Sequence, residues 1–260
     1  MPWISRGLRN GVLTTGYPRR ADGYEPTFRG AVEVAGGSSG STSELTSLCP
    51  TGAITADAVR VEVDRGRCIL CGRCVAARPD VFSFTPEIEL ATPDRALLVV
   101  PPAEDLDDTS LRGARAELAK RVSAFRRSVH VRHVDAGSDG AEEWEVAALT
   151  NPVYDVQRLG VFFTASPRHA DLLLVTGAGA AGMREPLRRT FEAMPEPKLV
   201  LAVGTDAISG GLVHPGYATR GGVASVLPVD VFVPGSPPSP FTILHAIISA
   251  VGMLTERSRR

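Results

Sequence analysis

The stretch Asp171-Leu172-Leu173-Leu174-Val175-Thr176-Gly177-Ala178-Gly179-Ala180-Ala181-Gly182 decides the fold. Its first six residues form a continuous apolar run, as strands buried on both faces of a parallel sheet do. Glycines end the run and Pro186–Met194 reads as helical, so the segment is strand, turn, helix. Working outward, Lys198–Val203 repeats the apolar strand, Val129–Val134 supplies one before it and Val229–Val233 one after it. The last of these stops at Pro234-Gly235-Ser236-Pro237-Pro238, which cannot continue a sheet. Thr242–Leu254 then gives an apolar helix. Strands alternating with helices predict an α/β unit with a small, mostly parallel sheet over residues 129–260.

The 260 residues allow one large domain or two modest ones. Hydrophobic residues at 43% and charged residues at 22% fit a globular chain and argue against wholesale disorder. Lys+Arg of 28 against Asp+Glu of 29 leaves a net charge of −1, so no basic field exists to hold a nucleic-acid backbone, and nucleic acid is not an expected partner. The longest apolar run, 13 residues from Thr242 to Leu254, contains His245 and is too short to span a bilayer. No transmembrane segment of the chain's own is expected. Met1–Arg20 holds four arginines and no apolar core segment, so it does not read as a secretory signal and a cytoplasmic location is expected.

Four cysteines occur: Cys49, Cys68, Cys71 and Cys74. The last three form C-x2-C-x2-C, and the first precedes Pro50. Cysteines three apart on a tight loop pair poorly as disulfides, and cytosolic thiols stay reduced. Zinc can take four thiolates but favours two separated C-x2-C pairs. A [4Fe–4S] cluster wants three closely spaced thiolates and a remote fourth before proline, which Cys49, Cys68, Cys71 and Cys74 satisfy with none left over. A second cluster of this kind needs cysteines at 39, 42, 45 and 78, where Ser39, Thr42, Leu45 and Arg78 stand. One [4Fe–4S] cluster is therefore predicted. Arg65, Arg67, Arg73 and Arg78 flank the motif, either as plain surface charge or as support for the more negative reduced cluster.

Along the chain, residues 1–34 show no period and read as an extended arm. Residues 35–100 form a small α+β, ferredoxin-like domain, with Ala35–Thr46 a Gly/Ser/Thr loop and short strands at Val59–Val63, Val81–Phe84 and Ala96–Val100. Residues 101–128 supply an acidic, proline-opened linker and a helix over Leu111–Arg127, before the α/β domain of residues 129–260.

Several runs carry a family resemblance. They are His130-Val131-Arg132-His133-Val134-Asp135-Ala136-Gly137-Ser138, Ala148-Leu149-Thr150-Asn151-Pro152-Val153-Tyr154-Asp155, Ala165-Ser166-Pro167-Arg168-His169-Ala170-Asp171 and Pro228-Val229-Asp230-Val231-Phe232-Val233-Pro234-Gly235. Residues 129–254 resemble the small-subunit module of membrane-bound (group 4) nickel–iron hydrogenases and the 20 kDa, B-type subunit of respiratory complex I. Thr14-Thr15-Gly16-Tyr17-Pro18 and Phe28-Arg29-Gly30 resemble the ferredoxin-like subunit of the same complexes, so the chain looks like a fusion of two partner subunits. In the family the small-subunit module holds a proximal [4Fe–4S] cluster through four cysteines. The resemblance places those positions at Asp139, Glu142, Asp206 and Ser236, and none offers a thiolate. It therefore implies that the proximal cluster is absent. Oxygen donors of this kind suit Mg²⁺, Ca²⁺ or Mn²⁺ better than iron–sulfur, although such sites need more oxygens than these. In a closed, metal-free pocket the acids would repel, and at least one would be protonated near neutrality.

What the resemblance implies is an iron–sulfur electron-transfer subunit of a membrane-associated oxidoreductase. Its partners would be a large-subunit homologue and membrane subunits, and it would sit on the cytoplasmic face through them. The same module could instead act as a structural or regulatory docking subunit. A third reading takes Gly177-Ala178-Gly179-Ala180-Ala181-Gly182 literally as G-x-G-x-x-G, a nucleotide loop with Asp206 near a ribose. His130 and His133 sit on opposite parity of one strand and cannot share a metal. His169 reads as a structural or subunit contact.

Overall fold

In the computed structural model of the protein, residues 2–20, 28–35, 42–102 and 128–252 are described, with 113, 116 and 117. The C-terminal half is built on β6 (Val129–Asp135), β7 (Val161–Phe163), β8 (Leu172–Thr176), β9 (Leu199–Val203) and β10 (Val231–Val233). They form one sheet in the order β10-β9-β8-β6-β7 with every pairing parallel. All five residues of β8 and of β9 are buried, as their unbroken apolar sequences require. Helix α4 (Ala141–Ala148) follows β6, α5 (Arg184–Ala193) follows β8, α6 (Thr205–Ser209) follows β9 and α7 (Pro240–Ala250) follows β10. Ser239 caps α7, accepting from the Thr242 amide at 3.2 Å, and Pro240 opens it. This is the α/β unit that the strand spacing predicts.

The cysteine-bearing half is α+β. Strands β1 (Ala31–Val34) and β4 (Phe82–Thr85) pair antiparallel. β2 (Ile54–Ala56), β3 (Val61–Asp64) and β5 (Val99–Val100) form a second antiparallel sheet. Short helices α2 (Thr42–Ser47) and α3 (Arg73–Ala77) flank the cysteines.

Three sequence expectations need correction. The first 30 residues are not simply extended, because Pro2–Asn10 forms helix α1. Ala35–Thr46 is not all loop, because α2 begins at Thr42 and buries Leu45. Of Ala96–Val100, only Val99–Val100 is strand, and Arg95–Leu98 is a 3-10 turn capped by Asp94. The helix expected over Leu111–Arg127 lies largely outside the described residues.

The two halves share packing. Tyr17 and Ile88 are buried in the core of the α/β sheet beside Leu172, Leu201 and Ile247. Thr92 pairs with Phe232 of β10 as an isolated bridge. The Thr15 amide donates to Val153 O at 2.8 Å.

Candidate functional site

The cysteine loop is built by the turn after β3. The Asp64 carboxylate accepts from the Gly66 amide at 2.9 Å, and its carbonyl accepts from the Arg67 and Cys68 amides, each at 3.0 Å. Leu70 (φ 53°) and Gly72 (φ 73°) take left-handed backbone, which turns the chain back between Cys68, Cys71 and Cys74. Cys74 sits on α3, and Cys49 arrives from the end of α2. Thr51 ties the two cysteine segments together, donating to Arg67 O at 2.7 Å while its hydroxyl lies 3.4 Å from Cys49 Sγ. The Ala53 amide donates to Cys49 Sγ at 3.2 Å.

All four cysteines line one pocket walled by Val32, Ala53, Ile54 and Val63. All four are free thiols. Burial pushes the Cys68 thiol up to about 12, with its three cysteine neighbours adding to the rise, and burial likewise raises Cys74. Thiols that resist ionisation together are relieved by a positively charged iron–sulfide core. Among the described residues no group of three or more His, Cys, Asp or Glu side chains converges to hold a single metal ion. Four cysteines lining one pocket suit a cluster, in which each thiolate binds a different iron. Leu45, where a second cluster's cysteine would stand, is buried with Val32, Val81 and Phe82. Three of the four flanking arginines are engaged by acids: Arg65 with Glu33 at 3.5 Å, Arg67 with Asp64 at 3.6 Å and Arg78 with Asp80 at 2.6 Å.

A second constellation lies at the carboxyl ends of β6 and β9. The Asp139 carboxylate accepts from the Ala141 amide at 3.0 Å at the mouth of α4. Glu142, in the first turn of α4, is 1% exposed and its Oε2 has no hydrogen-bond partner. Burial raises it to about 7, helped by repulsion from Asp206, Asp139 and Glu143. Asp206, in the first turn of α6, is also raised by burial and then by Asp139 and Glu143. Ser236 follows Gly235, whose carbonyl accepts from the Thr205 amide at 2.7 Å. The structure thus draws Asp139, Glu142 and Asp206 into mutual electrostatic reach and sets Ser236 one residue beyond a contact of α6.

Sequence reading missed three further participants. Glu143 accepts from Ser138 Oγ at 2.5 Å and from Thr176 Oγ1, and Thr176 meets His133 Nε2 at 3.0 Å. Burial lowers the pKa of His133 there. Thr205 joins the two constellations: its hydroxyl lies 3.0 Å from Cys68 O and 3.1 Å from Gly235 O. The Glu142-Glu143 doublet was a visible signal, whereas nothing in sequence marks Thr205. His130 faces Asp171 at 3.6 Å, and His169 is exposed.

The glycine loop is not shaped for a nucleotide. The amides of Ala178, Ala180, Ala181 and Met183 already donate to Gly137, Ala136, Ala218 and Ala180 carbonyls. A Cβ at Gly177 would lie 2.5 Å from the Gly137 carbonyl carbon, and one at Gly179 would lie 2.9 Å from Gly222 O. Backbone packing explains these two glycines. A Cβ at Gly182, whose counterpart in a dinucleotide fingerprint permits close helix packing, would meet nothing within 4 Å.

Fold and site define a protein with a four-cysteine, ferredoxin-like iron–sulfur unit joined to a parallel α/β module. Residues 140–250 match the family described as NADH ubiquinone oxidoreductase, 20 Kd subunit, and residues 61–96 match the 4Fe-4S single cluster domain. The chain is 38% identical over 150 residues to formate hydrogenlyase subunit 7 of Escherichia coli, a match covering 58% of this chain and 58% of that relative's length. It is 38% identical over 146 residues to the probable membrane-bound hydrogenase subunit mbhJ of Pyrococcus furiosus, covering 55% of this chain and 87% of that one. The B-type component of NADH-quinone oxidoreductase from Desulfovibrio desulfuricans is 43% identical over 116 residues, covering 45% and 63%. The chain belongs to the 20 Kd subunit family of NADH ubiquinone oxidoreductase. It is hydrogenase-like and complex I-like, with a 4Fe-4S ferredoxin-like unit. Among the described residues no helix is long and apolar enough to cross a membrane.

Proposed function

We propose that the chain is the electron-transfer subunit of a membrane-associated oxidoreductase, carrying one [4Fe–4S] cluster on Cys49, Cys68, Cys71 and Cys74 and none in its α/β module. The observation that carries this reading is the convergence of all four cysteines on one cavity. A cluster held there supplies one-electron transfer at a potential tuned by hydrogen bonds to its sulfurs. Ala53 and Thr51 are placed to do that tuning at Cys49. Asp139, Glu142, Asp206 and Ser236 stand where the family's proximal-cluster cysteines would be, and carboxylates and a hydroxyl cannot replace thiolates there. The next redox centre therefore belongs to a neighbouring subunit. The partners are a large-subunit homologue and membrane subunits, with the chain peripheral on the cytoplasmic face through them. The domain scheme is an arm at 1–34, whose last four residues pair with the cluster domain as β1, the cluster domain at 35–100, a linker and helix at 101–128 and the α/β domain at 129–260.

A docking role without electron transfer is the second reading. It is favoured by Trp144, which stands 79% exposed on α4 beside the carboxylates. Anaerobic reconstitution tests the first: about four irons and four sulfides per chain are expected. Cys71→Ser should lose the cluster's visible absorption. About eight irons, or unchanged iron in C71S, overturns the assignment.

A further inference from the structure

Glu142 is the most deeply buried ionisable side chain among the described residues, and no cation compensates it. The charges acting on it are negative: Asp139 and Glu143 from its own end of α4, and Asp206 from α6. Glu143 is in turn bonded to Ser138 and Thr176, with His133 of β6 behind them. On α7, which packs on α4, the titratable residue is His245, 3.1 Å from Ser249 Oγ. Gly204 closes over the carboxyl so tightly that a Cβ there would lie 2.5 Å from Glu142 Oε1. The next residue, Thr205, contacts Cys68 O. The segment Gly204-Thr205-Asp206 thus lies against Glu142 at its first residue and against the backbone of the cysteine loop at its second. A buried carboxyl with an orphaned oxygen and only like charges around it is relieved by gaining a proton.

We propose that Glu142, with Asp206 beside it, is a proton-binding site that fills when an electron reaches the four-thiolate site across Thr205. The electron comes from a one-electron donor, and solvent supplies the proton. One O–H bond forms at a Glu142 oxygen, so one negative and one positive charge enter together. Burial and its acidic neighbours already hold Glu142 at about 7, so a modest added field moves it across neutrality. The proposal rests on the cluster assignment above, and its test separates the two.

The test is a spectroelectrochemical titration of the reconstituted full chain at a series of pH values. The midpoint potential is expected to be flat below about pH 7 and to fall above it toward ~59 mV per tenfold change in proton activity, then to level off. Glu142→Gln should be flat throughout. Asp206→Asn, which removes one repelling charge, should move the window to lower pH. Infrared spectra of chain carrying ¹³C-labelled glutamate should show a carboxylic-acid band near pH 6 that is absent in E142Q. A pH-independent potential in wild type containing four irons, or an unchanged slope in E142Q, overturns the proposal and leaves the cluster standing. Absence of iron overturns the cluster and the link together.

Discussion

At Glu142 a carboxyl has been placed where folding favours its neutral form. Its unfolded-state value of 4.5 rises to about 7 in the fold, so the folded chain binds more protons than the unfolded chain between those values. That contribution to stability is complete below about pH 4.5 and is lost as pH rises through about 7. Glu142→Gln keeps the shape and removes the titration. It is expected to match wild type near pH 4.5 and to exceed it by ~3 kcal/mol at pH 8, measured by urea unfolding at both pH values. The spacing of the four cysteines, and their gathering at one pocket, follow from residue type and order along the chain. The unpaired Glu142 oxygen does not, since it depends on Gly204 and Asp206, some 60 residues away in the chain.

The element that misleads is the turn after β8. Its G-x-G-x-x-G spelling matches a phosphate loop, yet the amides of Ala178, Ala180 and Ala181 are spent on neighbouring carbonyls and its first two glycines are needed where backbones touch. Gly177, at φ 83°, also takes a backbone that a side chain strains. Gly177→Ala is expected to cost about 3 kcal/mol, seen as a fall in Tm of roughly 6–12 °C. Gly182→Ala should be tolerated, because a Cβ there meets open space. Similar Tm losses for both would contradict this account. The strands β6, β8 and β9 were readable because burial on both faces leaves an unbroken apolar run. Helix α1 was not, since it is only nine residues long and none of its residues is buried.

Across the whole molecule, the α/β core is completed from outside its own segment. Tyr17 and Ile88 fill it, Thr92 extends its edge at β10, and the Tyr17 hydroxyl meets Glu89 at 3.1 Å. A fragment beginning at residue 129 therefore exposes apolar surface that the full chain covers. It is expected to unfold at lower urea concentration than the α/β unit of the intact chain and to bind a hydrophobic dye. Equal stability of fragment and parent would count against this shared core.

The sequence by itself determined the two fold classes, the spacing of the four candidate thiolates and the lack of cysteine in the second module, because strand burial and metal chemistry are written in residue type and spacing. Only the tertiary structure decided that the glycine loop is packed against neighbouring backbone, that Thr205 ties the cysteine loop to the turn after β10, and that Glu142 Oε2 lies buried without a partner. Those depend on which distant backbones meet, and contact across the chain has no local spelling.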